Sequence, residues 1–311
     1  METIHIGSAG HPDQVRQRLE FEAQFLRDEG FQVDISESTR GSVSFFRLDS
    51  RATEAAVAFG SPEDQASLVR QHLANAISDL IVNVWEEDLL LRLVSSEYRT
   101  LGENDRALIV TQAQALLDGG PERAEAGLLR KVGRKGHILR EVAEYLETED
   151  LLVIEGFINF RLQRYVDHLE TIVEQAVDEF MLQKEYREFI LLLRHFLTAQ
   201  EPRIERVHVL VSPDGGFRLL DDEGTSISDQ YLEESLSQAG QKEINRDDLL
   251  ISALITIAPR RLKLHALPGI DNDGLRTLRA VFADRVTICR GCELCGLRVR
   301  RPYEEHEHLF H

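Results

Sequence analysis

From residue 148 to residue 199 apolar side chains return every three or four positions, and nothing else in the 311-residue chain restricts its fold so strongly. Leu151, Ile154, Ile158, Leu162, Val166, Leu169, Val173, Ala176 and Phe180 hold one stripe on one face of an α-helix. Tyr186, Phe189, Ile190, Leu193, Phe196 and Leu197 repeat the spacing more densely. Two helices, or one long bent helix, must bury both stripes against other elements. Such a scaffold fixes packing and carries no chemistry of its own.

The flanks supply those other elements. At the N-terminus, Thr3 to Gly7 alternates like a strand, and an amphipathic run with Val15, Leu19, Phe25 and Leu26 closes at Gly30. Phe31, Val33 and Ile35, then Val43 and Phe45, alternate around a turn at Thr39-Arg40-Gly41, giving a small βαββ unit that ends near residue 60. Gly7-Ser8-Ala9-Gly10 lacks the lysine and length of a phosphate-binding loop and the third glycine of a dinucleotide fingerprint. Ser61-Pro62-Glu63-Asp64 reads as a helix start, with a serine cap and acids at the positive end of the helix dipole. Helices follow to Tyr98, from Asn104 to Leu117 and over 122–147, so residues 61–200 form a central helical body.

The residue before a proline avoids helix, so Glu201-Pro202 ends that body and opens a third region, 201–311. Val207, Val209 and Val211, then 217–220 and 225–227, read as a β-meander. Helices over 229–238 and 247–257 come next, then a strand, helix, strand unit at 262–266, 272–282 and 286–289. The whole is an α+β chain: an N-terminal sheet unit, a large helical body, and a mixed C-terminal portion ending in a cysteine knuckle.

That knuckle, Cys289-Arg290-Gly291-Cys292-Glu293-Leu294-Cys295-Gly296, is the constellation with the most chemical specificity. Thiolates two residues apart wrap one metal when the turn between them aims both sulfurs inward, and Cys289 adds a third from the end of a strand. Tetrahedral zinc needs a fourth ligand, for which His265, His306, His308 and His311 are candidates. An iron–sulfur cluster is the rival, but Val299 stands where the fourth cysteine of a ferredoxin run would fall. A redox Cys-x-x-Cys pair and three reduced thiols without a ligand are the other readings. His208 reads as an exposed or satisfied strand histidine on the face opposite the valines.

Charge narrows the partners. Asp plus Glu outnumber Lys plus Arg by 54 to 36, a formal net charge of −18 that repels phosphate backbones and anionic lipid. Arg130, Lys131, Arg134 and Lys135 form the most basic segment. It reads either as an anion or nucleic-acid contact or as a solvated helix face pairing with nearby acids. The longest apolar run, Leu249 to Ala258, is about half the ~20 residues that span a bilayer, and no secretory signal is visible. Three clustered cysteines, an odd number, argue for a reducing cytoplasm and against a disulfide framework.

Glu155-Gly156-Phe157-Ile158-Asn159-Phe160-Arg161-Leu162, then Glu185-Tyr186-Arg187-Glu188-Phe189-Ile190, then Glu201-Pro202 leading into a strand at Val207, resemble the YtxC-like family. The resemblance covers most of the chain and is strongest from about residue 150 to 297. It implies a soluble protein of endospore-forming bacteria associated with sporulation, with no enzyme activity or catalytic residues to carry over. No nucleophile with a base partner and no His-Glu-x-x-His stands out in the sequence. Action by binding a protein partner is therefore the leading expectation, with a metal-dependent enzyme as the alternative.

Overall fold

The structure is a computed structural model that describes residues 2–54, 56, 60–119, 124–212, 216–227, 246–265 and 272–295. The chain divides into two compact units, Met1–Leu182 and Gln183–His311.

In the first unit, alternation along β1 (Glu2–Ser8) turns Ile4 and Ile6 inward, where they pair across an antiparallel ladder with Leu48 and Phe46 of β3 (Val43–Ala52). β2 (Phe31–Arg40) pairs with β3 as a hairpin. The buried face of this sheet receives Val15, Leu19, Ala23 and Leu26 of α1 (Pro12–Asp28). A fourth strand is a correction to the sequence reading: Leu151–Val153, expected to begin a helix, forms β4 and pairs in parallel with β1, His5 opposite Leu151. The spacing from Leu151 to Ile154 suits a helix, but the open edge of β1 offers backbone partners, and the His5 amide donates to the Asp150 carbonyl at 2.7 Å. The strand order is β2-β3-β1-β4.

Helices fill the rest of this unit. Ser61 caps α2 (Pro62–Leu80) with a capping box: the Asp64 amide donates to Ser61 Oγ, and the Ser61 amide donates to Asp64 Oδ2. α2 runs without a break through a π-helical turn, Ile81–Trp85, into α3 (Glu86–Glu97). α4 (Glu103–Leu117) packs on α3, and α5 (Ala124–Thr148) packs on α2. Gly127 admits α5 to the end of α4, since a Cβ there would lie 1.9 Å from the Asp118 carbonyl oxygen. α6 (Ile154–Arg161) and α7 (Gln163–Ala199) carry the long periodic stretch. Leu169, Val173, Ala176 and Phe180 of α7 are buried in the first core, which also holds Leu73, Ile77, Ile109 and Ile138. The denser second stripe is only partly covered: Ile190 and Leu197 are buried, whereas Phe189 and Phe196 stay 50% and 52% exposed.

The second unit is built on a sheet of order β6-β5-β7-β8, from β5 (Arg206–Val211), β6 (Phe217–Leu220), β7 (Arg261–His265) and β8 (Val286–Ile288). β5 and β6 form an antiparallel hairpin, and β5, β7 and β8 run parallel. Where a third meander strand was expected, residues 225–227 make a single bridge, Leu220 with Ser226. Connections of parallel strands need a crossover, and the described parts of these are α8 (Arg246–Ile257) and α9 (Asp273–Phe282), which pack on each other. The Asn272 side chain caps α9 by accepting from the Leu275 amide at 2.9 Å. Leu254, Ile257, Leu278 and Phe282 meet Val207, Val209, Leu262 and Leu264 in the core. The helix expected over 229–238 lies outside the described residues.

Candidate metal centre

Cys289 follows β8 directly, and its amide donates to the Leu264 carbonyl at 2.8 Å, so the ladder itself fixes where the thiol sits. The chain then turns at Gly291, whose φ of 127° a side chain would oppose and whose amide donates to Cys289 Sγ at 3.3 Å. This turn brings round Cys292 and Cys295. Their sulfurs stand 3.6 Å apart, and Cys295 Sγ is 4.0 Å from Cys289 Sγ. The fourth member comes from the neighbouring strand: His265, the last residue of β7, puts Nδ1 3.5 Å from Cys292 Sγ. All four ligand atoms lie within 4.8 Å of one another. Zinc–sulfur bonds of ~2.3 Å set tetrahedral edges of about 3.8 Å, so this spacing suits one metal ion.

The group's surroundings favour ligation. His265 is 2% exposed and Cys289 7% exposed, while Cys292 and Cys295 are half-buried. Burial, and next to it the neighbouring His208, pull the His265 pKa down to about 4, which leaves the ring neutral and its lone pair free near neutral pH. Burial raises the Cys289 thiol above its usual value, a penalty on the thiolate that a bound cation reverses.

Behind His265 stand two residues that the sequence reading did not tie to this group. His208 Nδ1 lies 2.9 Å from His265 Nε2, and His208 Nε2 lies 3.2 Å from Asp222 Oδ1. His208 is buried and hydrogen-bonded, the satisfied form of the exposed or satisfied strand histidine expected from the sequence. The reason is that β5 is an inner strand covered on both faces, as its run of four buried residues shows. His306, His308 and His311, the other fourth-ligand candidates, lie outside the described residues.

The basic segment is placed on α5, where carboxylates pair with Arg134 and Lys135. Arg134 forks onto Glu86 with two hydrogen bonds of 3.0 Å and donates to the Leu117 carbonyl at 2.9 Å. Lys135 pairs with Asp79 at 2.7 Å, and the exposed Arg130 reaches the Leu116 carbonyl at 3.4 Å. Lys131 borders a polar cavity of about 180 Å³ shared with Glu86, Glu87 and Asp118. The amides of Ala9 and Gly10 are also taken, since both donate to Glu155 Oε1, at 3.0 and 2.9 Å. Among the described residues no helix is long and apolar enough to cross a membrane.

The sequence profile of the YtxC-like family matches residues 71–287. The Bacillus subtilis protein called uncharacterized protein YtxC is 29% identical over 203 residues, covering 65% of this chain and 70% of the relative. No solved structure matches. The matched span contains His208, Asp222 and His265 and stops just short of the three cysteines. With most of its length inside that match, the chain belongs to the YtxC-like family.

Proposed function

We propose that Cys289, Cys292, Cys295 and His265 hold one zinc ion, and that the ion locks the C-terminal sheet and does no chemistry on a substrate. The observation that carries this reading is the convergence of four ligand atoms within 4.8 Å, from two strand ends and one turn. Three thiolates and one imidazole fill a tetrahedron, leaving no open position for water or substrate, which is the mark of a structural site. An iron–sulfur cluster is less well served: it spreads its ligands over more than one iron, calls for wider separation, and takes four cysteines where this chain has three.

In this reading the zinc-braced protein works in the cytoplasm during sporulation by binding a protein partner. The family resemblance supports the process, and exposed apolar side chains on α7, Leu182, Leu191 and Leu192 among them, support a docking role. A net charge of −18 and the carboxylates already holding Arg134 and Lys135 weigh against nucleic acid.

Elemental analysis of protein purified without chelator tests the site. One zinc per chain is expected, falling to near zero in Cys292→Ser or His265→Ala. A brown protein with visible absorption would replace zinc by an iron–sulfur cluster, and metal-free protein from zinc-replete cells would refute the reading. For the wider role, a deletion strain should lose spore yield, and the tagged protein should copurify with the same partner in repeated pulldowns from sporulating cells.

A further inference from the structure

We infer that His208 and Asp222 are positioning residues for the metal centre, setting the tautomer and ring plane of His265 through a hydrogen-bonded line that crosses the sheet. The inference rests on the zinc reading and concerns residues that do not touch the metal. For His265 to ligate through Nδ1, that nitrogen must be bare, so the ring proton sits on Nε2. Nε2 faces His208 Nδ1 at 2.9 Å and must donate to it. His208 then carries its own proton on Nε2, which faces Asp222 Oδ1 at 3.2 Å and donates in turn. Reversing either ring would set two lone pairs or two N–H groups against each other in a buried place, so the line has one sense from carboxylate to metal.

The geometry suits that role. The two rings lie within 22° of one plane with centroids 5.1 Å apart, an edge-to-edge arrangement that puts the N–H and the lone pair in line. Parallel pairing of β5 with β7 sets His208 opposite Lys263, and so diagonal to His265 on the same face of the sheet. At the far end, Asp222 Oδ1 also accepts from Arg206 at 3.1 Å, which helps hold the carboxylate in place. The turn that bears Asp222 is itself tied down: Asp221 Oδ1 accepts from the amides of Glu223 and Thr225 at 2.9 and 2.8 Å. A carboxylate behind a ligating histidine raises its basicity and fixes its orientation, and removing such support costs roughly 10–100-fold in metal affinity. Here an interposed histidine relays that effect from the β6 edge to the end of β7.

Zinc affinity measured by chelator competition on the full chain, with cobalt spectra alongside, tests the assignment. His208→Phe should bind zinc about 10–100-fold more weakly and shift the cobalt ligand-field bands, with the fold intact by circular dichroism. His208→Gln, whose amide oxygen can accept from His265 Nε2, should recover most of the affinity, which a merely space-filling role would not require. Asp222→Asn should give a smaller loss, and because its side chain is 48% exposed it decides the matter if His208→Phe does not fold. Long-range ¹H–¹⁵N spectra should show His265 as the single Nε2–H tautomer in the wild type and a mixture in His208→Phe. If the wild type holds one zinc while His208→Phe and Asp222→Asn match its affinity and cobalt spectrum, the positioning role is overturned and the zinc reading stands. If the wild type binds no zinc at all, both fall.

Discussion

Each unit of this protein buries a cluster of polar side chains, and the two clusters are finished in different ways. In the first, Arg134 forks onto Glu86, Tyr165 donates its phenol to the same carboxylate at 2.6 Å, and a remaining guanidinium N–H caps α4 at the Leu117 carbonyl. Burial, then the charge of Glu86, drive the Tyr165 phenol far above its usual pKa, so the hydroxyl stays a donor. Charge and hydrogen bonds close within the protein. In the second, three thiols and an imidazole nitrogen face one another with only weak S–H donors among them. That cluster has surplus acceptors at one point and could hold a metal ion. A closed cluster is a clamp; an open one has room for a ligand.

The largest way to test that contrast is to remove the metal. Structural zinc contributes on the order of 10 kcal/mol in small metallo-domains. Chelation, or Cys295→Ser, should therefore lower or abolish the unfolding transition of Gln183–His311 in calorimetry while that of Met1–Leu182 keeps its midpoint; equal shifts in both would erase the distinction. Next comes the clamp. Glu86→Leu leaves the Arg134 charge, 8% exposed, with only the exposed Asp118 carboxylate at 3.4 Å, and should cost about 3 kcal/mol in urea unfolding of the first unit. Replacing the trio together, with Glu86→Leu, Arg134→Met and Tyr165→Phe, should recover most of that, as the cysteine cluster could not be made to do without losing its ion.

A backbone test has a smaller effect. Gly127→Ala drives a Cβ against the Asp118 carbonyl and should destabilise the first unit by about 1–3 kcal/mol. Gly133→Ala, on the same helix with open space around it, should stabilise by roughly 0.5–1 kcal/mol. The smallest effect is one of pH. His72 is held above its usual pKa, chiefly by its hydrogen bond to Glu22 at 3.1 Å. The charged ring is favoured in the folded state, so its stabilisation is complete below the unfolded value of about 6.5 and fades as pH rises through the raised folded value. The urea midpoint of the first unit should drift down over that interval, and His72→Gln should flatten the drift.

What was legible in the sequence follows from how local each signal is. Cys289, Cys292 and Cys295 lie within one turn, so their spacing alone placed three sulfurs together. His265 was one candidate among several, because the pairing of β7 with β8 that sets it beside Cys289 and Cys292 has no local signature. The link of His208 and Asp222 to this group was missed for the same reason: His208 meets His265 across 57 residues of chain, through a parallel ladder. Period-three spacing hid β4, since Leu151 and Ile154 satisfy a helix until the edge of β1 claims the backbone. In the basic segment the charges were visible and their partners were not: Glu86 lies 48 residues from Arg134 in the chain.

The wide turn at Ile81–Trp85 makes the exact length of the helix matter. A π-helical turn amounts to one residue more than the surrounding α-helix needs. Each added residue rotates everything beyond it by about 100° around the axis. Upstream of it Leu73 and Ile77 are buried on α2, whose neighbours are α1 and α5; downstream Leu89, Leu90, Leu93 and Val94 are buried on α3, which lies against α4. One continuous helix thus serves two sets of neighbours, and the turn is the phase change between them. A chain that lost a single residue there would keep a good helix and misdirect half of it, so deleting one of these five residues should disturb the packing more than replacing Asn83, whose amide returns to the Asp79 carbonyl of its own helix.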